Sequence, residues 1–401
     1  MSRGSEPSLR FPEFNQPWEE KLLGSICIVK TGNKDTQDRI DSGKYPFYVR
    51  SNTIERIDSY SFDGEAILTS GDGVGVGKNY HYVNGKFDYH QRVYALHSFQ
   101  NNISGKFVYH IFTEKFYRRV MRLSAKNSVD SVRMSMITEM QLRFPSLPEQ
   151  QKIAAFLSAV DKKIQLLQRK KELLEQYKKG VMQKIFSQEI RFKDDDGNEY
   201  PDWEEKRLGE IITEHRGGAS LRPSDFVNVP CFEVIPKKAI SKGGVLMLDV
   251  ENPTYCSESF FNSNEMNVID DSYVITTLRD LVPSGPNIGY VVKYMGESRY
   301  ILAQGVYAFK IDTSLSIPDF LIQFSNTSTY RKIMQEIMVG STQVHIRNRD
   351  YFKVPIAVPS IAEQLRITAF LNSIDKKIES LRDANNENRR FKEGLLQQMF
   401  V

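Results

Sequence analysis

Between Gln150 and Phe186, apolar side chains return at alternating steps of three and four: Ile153, Leu157, Val160, Ile164, Leu167, Leu174, Val181 and Ile185. Lys171 and Lys178 fill the vacant positions of this seam. The alternation is a heptad pattern, narrower than an ordinary amphipathic stripe, and no proline interrupts it. It predicts one helix of roughly 50–55 Å at 1.5 Å rise per residue. A second seam follows at Ile367, Leu371, Ile374, Ile378, Leu381, Leu395 and Met399, with Asn385, Asn388 and Lys392 in its middle. Buried polar residues in such a seam cost stability and fix register. Two seams of equal length with a domain between them predict an antiparallel pair, with the two domains at opposite ends of a rod.

Elsewhere the pattern changes period. Pro46–Val49, Ala66–Leu68, Val93–Leu96, Tyr273–Ile275, Tyr290–Val292 and Val306–Phe309 are short apolar runs bounded by Gly, Asp, Asn and Ser, which predicts strands. Phe107 to Met121 and Asp319 to Met338 carry helical spacing. The fold class is therefore α+β, a strand-rich body with a helix or two and then a heptad helix, used twice.

The duplication is legible residue by residue. Pro145-Ser146-Leu147-Pro148-Glu149-Gln150 aligns with Pro359-Ser360-Ile361-Ala362-Glu363-Gln364. At the same offset Ala155-Phe156-Leu157 meets Ala369-Phe370-Leu371, and Asp161-Lys162-Lys163-Ile164 meets Asp375-Lys376-Lys377-Ile378. Gly180, Gln183 and Phe186 meet Gly394, Gln397 and Phe400. Each unit opens alike. Trp18-Glu19-Glu20-Lys21 with Leu23-Gly24 returns as Trp203-Glu204-Glu205-Lys206 with Leu208-Gly209, and the chain has only these 2 tryptophans. Arg10-Phe11 and Arg191-Phe192 precede them, and Gln91 to Ala95 is echoed by Gln304 to Ala308. The repeat divides the chain into a first domain, 1–149, a heptad helix, 150–187, a second domain, 188–363, and a second heptad helix, 364–401. Ends retained while interiors drift suggest two copies that differ in what they bind.

Composition narrows the setting. With 401 residues, 40% of them apolar and 26% charged, the chain supports two or three domains with real cores. It has no run of apolar residues long enough for a membrane helix. Met1 to Pro12 is too polar for a secretory signal and is expected to be a short disordered lead-in. Three cysteines, Cys27, Cys231 and Cys256, stand far apart with no C-x-x-C, which points to a reducing, cytoplasmic setting. A net charge of +4 permits a polyanionic partner without requiring one. The first heptad helix is itself basic, which usually marks a solvated face.

Catalytic motifs fail when tested. Gly71 to Lys78 is glycine-rich, but Asp72 stands where a phosphate loop needs its first glycine and Asn79 where it needs Ser or Thr. A turn that brings backbone close to something is the better reading. Asn252-Pro253-Thr254-Tyr255 lacks the second proline of an adenine methyltransferase motif, and no S-adenosylmethionine glycine motif precedes it. Pro201-Asp202 with Glu204 and Glu205 is too tight for a nuclease carboxylate cluster. His81, His90, His97, His110, His215 and His345 show no metal-ligand spacing. No nucleophile sits in a recognisable elbow. The pattern points to a binding protein.

The paired Trp-Glu-Glu-Lys-x-Leu-Gly openings, the P-S-L-P-E-Q and P-S-I-A-E-Q segments, and the two D-K-K-I heptad helices together resemble the specificity (S) subunits of type I restriction–modification enzymes. The resemblance covers nearly the whole chain. It implies two target-recognition domains separated by antiparallel helices, each domain reading one half of a split, asymmetric double-stranded DNA site. It implies two methyltransferase (M) subunits docked on the chain and two motor–nuclease (R) subunits joining for restriction. S-adenosylmethionine, ATP and magnesium are then expected on those partners, with no cofactor, metal or catalytic residue on this chain. A rod of roughly 50 Å exceeds one DNA turn of about 34 Å, which suits a bipartite site with a fixed gap.

Base readout uses Arg, Lys, Asn, Gln and Ser on loops that reach groove edges, with further basic residues on phosphates. Candidates in the first domain are Arg50, Ser51, Asn52, Lys78, Asn79, Tyr80, Lys126, Asn127, Ser128 and Arg133. In the second they are Lys237, Lys238, Arg279, Ser284, Asn287, Thr342, Gln343, His345, Arg347, Asn348 and Arg349. Arg133 and Arg347 are equivalent in the repeat, which favours phosphate contact, since a shared residue distinguishes two half-sites poorly. Two other readings stay open. A self-contained methyltransferase or nuclease would need a cofactor domain for which the chain has no motif. A tandem scaffold would recruit protein partners through its helices without reading DNA.

Overall fold

The computed structural model describes residues 6–123, 131–294 and 299–400. The chain forms two compact units, one from residues 1–169 and 381–401, the other from 170–380. The division falls inside both long helices, so each unit holds a globular body and half of each helix.

In the first unit, β1 (Glu19–Leu22) and the helical turn α1 (Leu23–Ile26) lead into β2 (Ile28–Thr31), β3 (Tyr45–Tyr48), β4 (Ile54–Ile57), β5 (Phe62–Ser70), β6 (Tyr80–Tyr89) and β7 (Val93–His97). These last six make one sheet in the order β2-β7-β5-β6-β3-β4. The helix α2 (Gly105–Leu123) follows, then α3 (Met134–Thr138) and β8 (Gln141–Phe144), which pairs back on β1. Phe107, Phe112 and Phe116 of α2 are fully buried in the main core of this unit, with Leu23, Ile67 and Leu96. The long helix α4 (Leu147–Phe186) closes the set.

The second unit begins with β9 (Glu204–Arg207) and β10 (Ile212–Gly217). Next come β11 (Phe226–Val227), β12 (Phe232–Ile235), β13 (Tyr255–Cys256), α5 (Glu258–Ser263), β14 (Val268–Ile269), β15 (Val274–Thr277), β16 (Arg279–Asp280), β17 (Val291–Lys293), β18 (Tyr300–Leu302) and β19 (Val306–Ile311). Here the strands fall into two main sheets, β10-β19-β15-β17 and β11-β13-β12-β18-β14. The frame matches the first unit where the sequence repeats, since β10-β19-β15 corresponds to β2-β7-β5. The departure lies in the diverged interior. Then come α6 (Pro318–Ser325), α7 (Ser328–Ile337), β20 (Val344–His345), α8 (Asn348–Tyr351), β21 (Pro355–Val358) and the long helix α9 (Ile361–Met399). β21 pairs with β9 as β8 pairs with β1.

Three expectations are corrected. The single helix expected over Asp319 to Met338 is two helices, because polar capping residues interrupt it. Thr327 accepts a hydrogen bond from the Tyr330 amide and starts α7, while Asn326 closes α6 with its amide on the Ile322 carbonyl. The long helices open earlier than their seams suggest, at Leu147 and Ile361. Pro148 is harmless there, because first-turn N–H groups have no helical partner. Residues 6–12 are docked rather than disordered. The Leu9 amide donates to the Gln398 carbonyl at 3.1 Å, and Arg10 is clamped on Glu149.

The helices pack antiparallel within each unit. In the first, Asp161 pairs with Lys392 at 2.5 Å, and one heptad along α4 Gln168 meets Asn385, one heptad back along α9. Ile153, Leu157, Leu395 and Met399 join the main core of that unit, with Val160 packed at its edge. In the second unit Lys178 pairs with Asp375 at 2.7 Å, and Ile367 and Leu371 enter the core with Met182 and Ile185. Ile164 and Ile374 are buried, whereas Leu167, Leu174, Ile378 and Leu381 are half-buried. The polar seam positions are satisfied rather than empty.

The sequence markers of the repeat meet in one buried network per unit. Arg10 donates to Glu149 from Nε and Nη2, both at 2.8 Å, and Arg191 donates to Glu363 at 3.2 and 2.8 Å. The carboxylate raises each arginine above its ordinary value. The Gln150 amide donates to the Pro145 and Asn102 carbonyls, and its Oε1 accepts from the Ser104 N–H ahead of α2. Gln364 repeats this on Pro359, Leu315 and Ile317. Gly24 and Gly209 allow close approach, since a Cβ there would lie 2.8 Å from Thr138 Cβ and 3.0 Å from Phe352 Cβ. The E-Q pair thus fastens each long helix to its own domain.

Candidate nucleic-acid interface

In the first unit, β5 leaves the sheet at Ser70 and the chain returns at Tyr80. The glycine-rich loop between them is pinned at both ends. Gly71 N–H donates to the Arg92 carbonyl, and Val132 N–H donates to the Gly71 carbonyl, both at 2.7 Å. Asp72 bridges to Ser131. At the far end the Asn79 side chain donates to the Arg50 carbonyl at 2.8 Å and to Ser70 Oγ at 3.3 Å. Gly73 and Gly77 have φ of +74° and +66°, a region that suits glycine. The loop is therefore a fixed turn, and the phosphate-loop reading remains excluded by its sequence.

That loop gathers basic groups. The Asp72 carboxylate holds Arg50 at 3.0 Å and Arg92 at 3.5 Å. Lys78 is exposed on the loop, and exposed Arg133 stands between the pinned Val132 and the start of α3. Ser51 and Asn52 are exposed beside Arg50. Asn79 and Tyr80 face inward: Asn79 is buried on its two partners, and the Tyr80 ring packs edge-on to Phe112 at 5.8 Å. Lys126, Asn127 and Ser128 lie outside the described residues. Burial lowers the pKa of nearby His81 and His90, so the positive charge here rests on arginine and lysine.

The second unit builds the same place with other side chains. Leu278 N–H donates to the Gly305 carbonyl and Ile346 N–H donates to the Leu278 carbonyl, at 3.3 and 2.9 Å. Arg279 pairs with His345 where Asp72 pairs with Ser131. The Asp280 carboxylate accepts from the Val282 and Asn287 amides, both at 3.3 Å, and closes the loop that carries exposed Ser284. Gly305 stands where the first unit has Arg92, and the Lys237 and Arg279 side chains lie against the space a Cβ there would take, at 3.1 and 3.2 Å. A guanidinium thus flanks the loop in both units, supplied by opposite strands. Lys238, Thr342, Gln343, His345, Arg347 and Arg349 are exposed, and Asn287 and Asn348 are half-buried. Arg347 immediately precedes α8 as Arg133 precedes α3.

Sequence reasoning passed over Arg92 and Arg331. Arg92 lies inside the Gln91–Ala95 echo, whose sequence signal is that of a repeat marker. Arg331 holds the second loop by donating to the Ile288 carbonyl at 2.6 Å, and its guanidinium lies 3.9 Å from the Tyr290 ring centroid. Its place in a helix gave no sequence signal. Among the described residues no group of His, Cys, Asp or Glu could hold a metal, and no helix is long and apolar enough to cross a membrane. Two exposed surfaces with fixed backbone, forked cations and polar side chains suit recognition of a polyanion and of polar edges.

A family model described as the type I restriction modification DNA specificity domain matches residues 15–176 and again 200–388. The type I restriction enzyme MjaVIII specificity subunit of Methanocaldococcus jannaschii is 24% identical over 296 residues, 72% of this chain and 68% of that one. The crystal structure of the type I restriction–modification S subunit from M. genitalium superposes with a TM-score of 0.65 at 17% identity, covering 99% of each chain. A structure described for complex assembly and conformational transition of the type I system superposes at 0.56 and 16% identity, covering 96% of this chain and 98% of that one. The long helices, the twofold use of one frame and the doubled match of the family model converge: this chain belongs to the family of type I restriction–modification specificity subunits.

Proposed function

We propose that this chain reads a bipartite, asymmetric DNA site, one half with each domain, on behalf of methyltransferase and restriction subunits. The observation that carries the reading is the pair of basic, polar loop surfaces at equivalent places on one repeated frame, built from different side chains. Equivalent placement suits two readers of one duplex. Different side chains suit two unlike half-sites. Arg50, Arg92 and Arg133, like Arg279, Arg347 and Arg349, are suited to phosphates and guanine edges. Ser51, Asn52, Ser284, Thr342 and Gln343 supply hydrogen-bonding groups for other base edges.

The partners follow the same reading. α4 exposes Leu166, Leu173 and Tyr177, and α9 exposes Leu365 and Phe391. Such side chains on otherwise polar helices suit docking of methyltransferase subunits, with motor–nuclease subunits joining for restriction. The chemistry, with its S-adenosylmethionine, ATP and magnesium, then belongs to those subunits.

The test is binding by the complex reconstituted with methyltransferase subunits. It is expected to select a split sequence, with affinity falling steeply as salt rises. Arg133→Ala and Arg347→Ala are each expected to weaken binding on all sequences alike and to lower the salt slope by about 1. A reconstituted complex that prefers no sequence overturns the reading in favour of a protein-recruiting scaffold.

A further inference from the structure

The two loops share a feature that basic and polar contacts leave unused. Val74 stands two residues beyond the bridged Asp72 and is 96% exposed. Leu281 stands two residues beyond the bridged Arg279 and is 62% exposed. The loops differ in sequence and length, yet each presents an aliphatic side chain at the same step. Neither side chain supports the core. Val76, two residues further along the first loop, does that, at 4% exposure.

Scattered exposed apolar residues are ordinary and need no explanation. These two differ in their setting. Each rides on a loop whose backbone is pinned at both ends, so holding it in place costs little further entropy. Each is flanked by exposed arginine, Arg50, Arg92 and Arg133 in one unit and Arg279 and Arg347 in the other. An aliphatic group can bond neither a phosphate nor a base heteroatom. In the major groove the apolar group on a base edge is the thymine C5-methyl.

We propose that Val74 and Leu281 are specificity-determining residues that contact thymine methyl groups, one in each half of the DNA site. The proposal rests on the DNA-reading function above and names what the loop tips recognise. Burying one methyl predicts a preference of about fourfold for thymine over uracil at the contacted step. Val74 and Leu281 differ in reach, so they suit thymines at different positions in their half-sites.

The experiment uses the complex reconstituted with methyltransferase subunits and its mapped target. Uracil replaces thymine throughout one half of the duplex at a time, and affinities are compared with the all-thymine duplex. Wild type should lose about fourfold or more with either substituted half. Val74→Ser should abolish the loss for one half only, Leu281→Ser for the other, and Val74→Ile should retain it. Both positions are exposed, so an unchanged melting curve is expected for each variant. If the uracil loss is absent, or the serine variants keep it, the proposal is overturned while sequence-specific binding itself stands. If wild type prefers no sequence, it is the DNA-reading function that has failed.

Discussion

The two units solve one structural problem twice, and the small differences show which parts are fastening and which are free to change. In the first unit Glu149 takes Arg10, while the Trp18 indole N–H finds no acceptor among the described residues. In the second, Glu363 takes Arg191 and also the Trp203 indole N–H at 3.0 Å. Against Asp161 and Lys392 the first unit sets His110, whose Nδ1 is 3.9 Å from Asp161. Against Asp375 and Lys178 the second sets Gln323, which donates to Asp375 at 3.1 Å. The frame tolerates such exchanges because each leaves its carboxylate paired with a cation. The loop surfaces, which carry no such duty, have diverged far more.

The largest effect should come from removing the shared carboxylate. Glu363→Ala takes the buried carboxylate from Arg191, which keeps Asp202 and the Tyr200 and Pro201 carbonyls, and leaves the Trp203 N–H without its acceptor; it is expected to cost about 3–4 kcal/mol. Glu149→Ala takes the carboxylate from Arg10, which keeps Glu6 and the Gln16 carbonyl, and takes no acceptor from a tryptophan, so it should cost less. Chemical denaturation of both variants checks the ranking, and equal losses would break the comparison.

Acid should separate the units next. Desolvation holds His110 down at about 4, opposed by Asp161 and aided by Lys392 and Lys106. An unfolded histidine takes its proton near its ordinary value of about 6.5. The contribution of neutral His110 is thus fully present above about pH 6.5 and is lost as pH falls toward 4, by up to roughly 3 kcal/mol. His110→Gln installs the second unit's residue and should flatten the pH dependence of thermal stability over that window. A slope identical to wild type would show that His110 does not drive it.

The smallest effect sharpens the tryptophan difference. Trp203→Phe removes a made hydrogen bond and should cost about 1 kcal/mol more than Trp18→Phe, whose N–H makes none. Equal costs from denaturant midpoints would mean that packing alone sets both.

Much of this architecture was readable from the chain because its cause is local or repeated. Heptad spacing gave both long helices, and the constant offset gave the pairing of Asp161 with Asp375 and of Glu149 with Glu363 as equivalents. Long-range partners left no such trace. The sequence offers Asn79 as a DNA-contact candidate, whereas tertiary packing turns its amide onto the Arg50 carbonyl and Ser70. The break at Asn326 and Thr327 is marked in the sequence by the polar run Ser325 to Thr329, whose capping chemistry outweighs the apolar residues on either side. Arg92 was overlooked because its role depends on Asp72, which lies on a neighbouring strand's loop. Of the candidate surfaces, the loops themselves were legible from their composition, while the inward turn of Asn79 and Tyr80 was set by tertiary packing.

The central claim is one frame with two independent readers. Replacing residues 187–359 with the matching segment of another family member tests it most directly, with genomic methylation mapped in cells that supply the methyltransferase subunits. Exchange of one half of the methylated site, with the other half unchanged, is the predicted result. A change in both halves would contradict it.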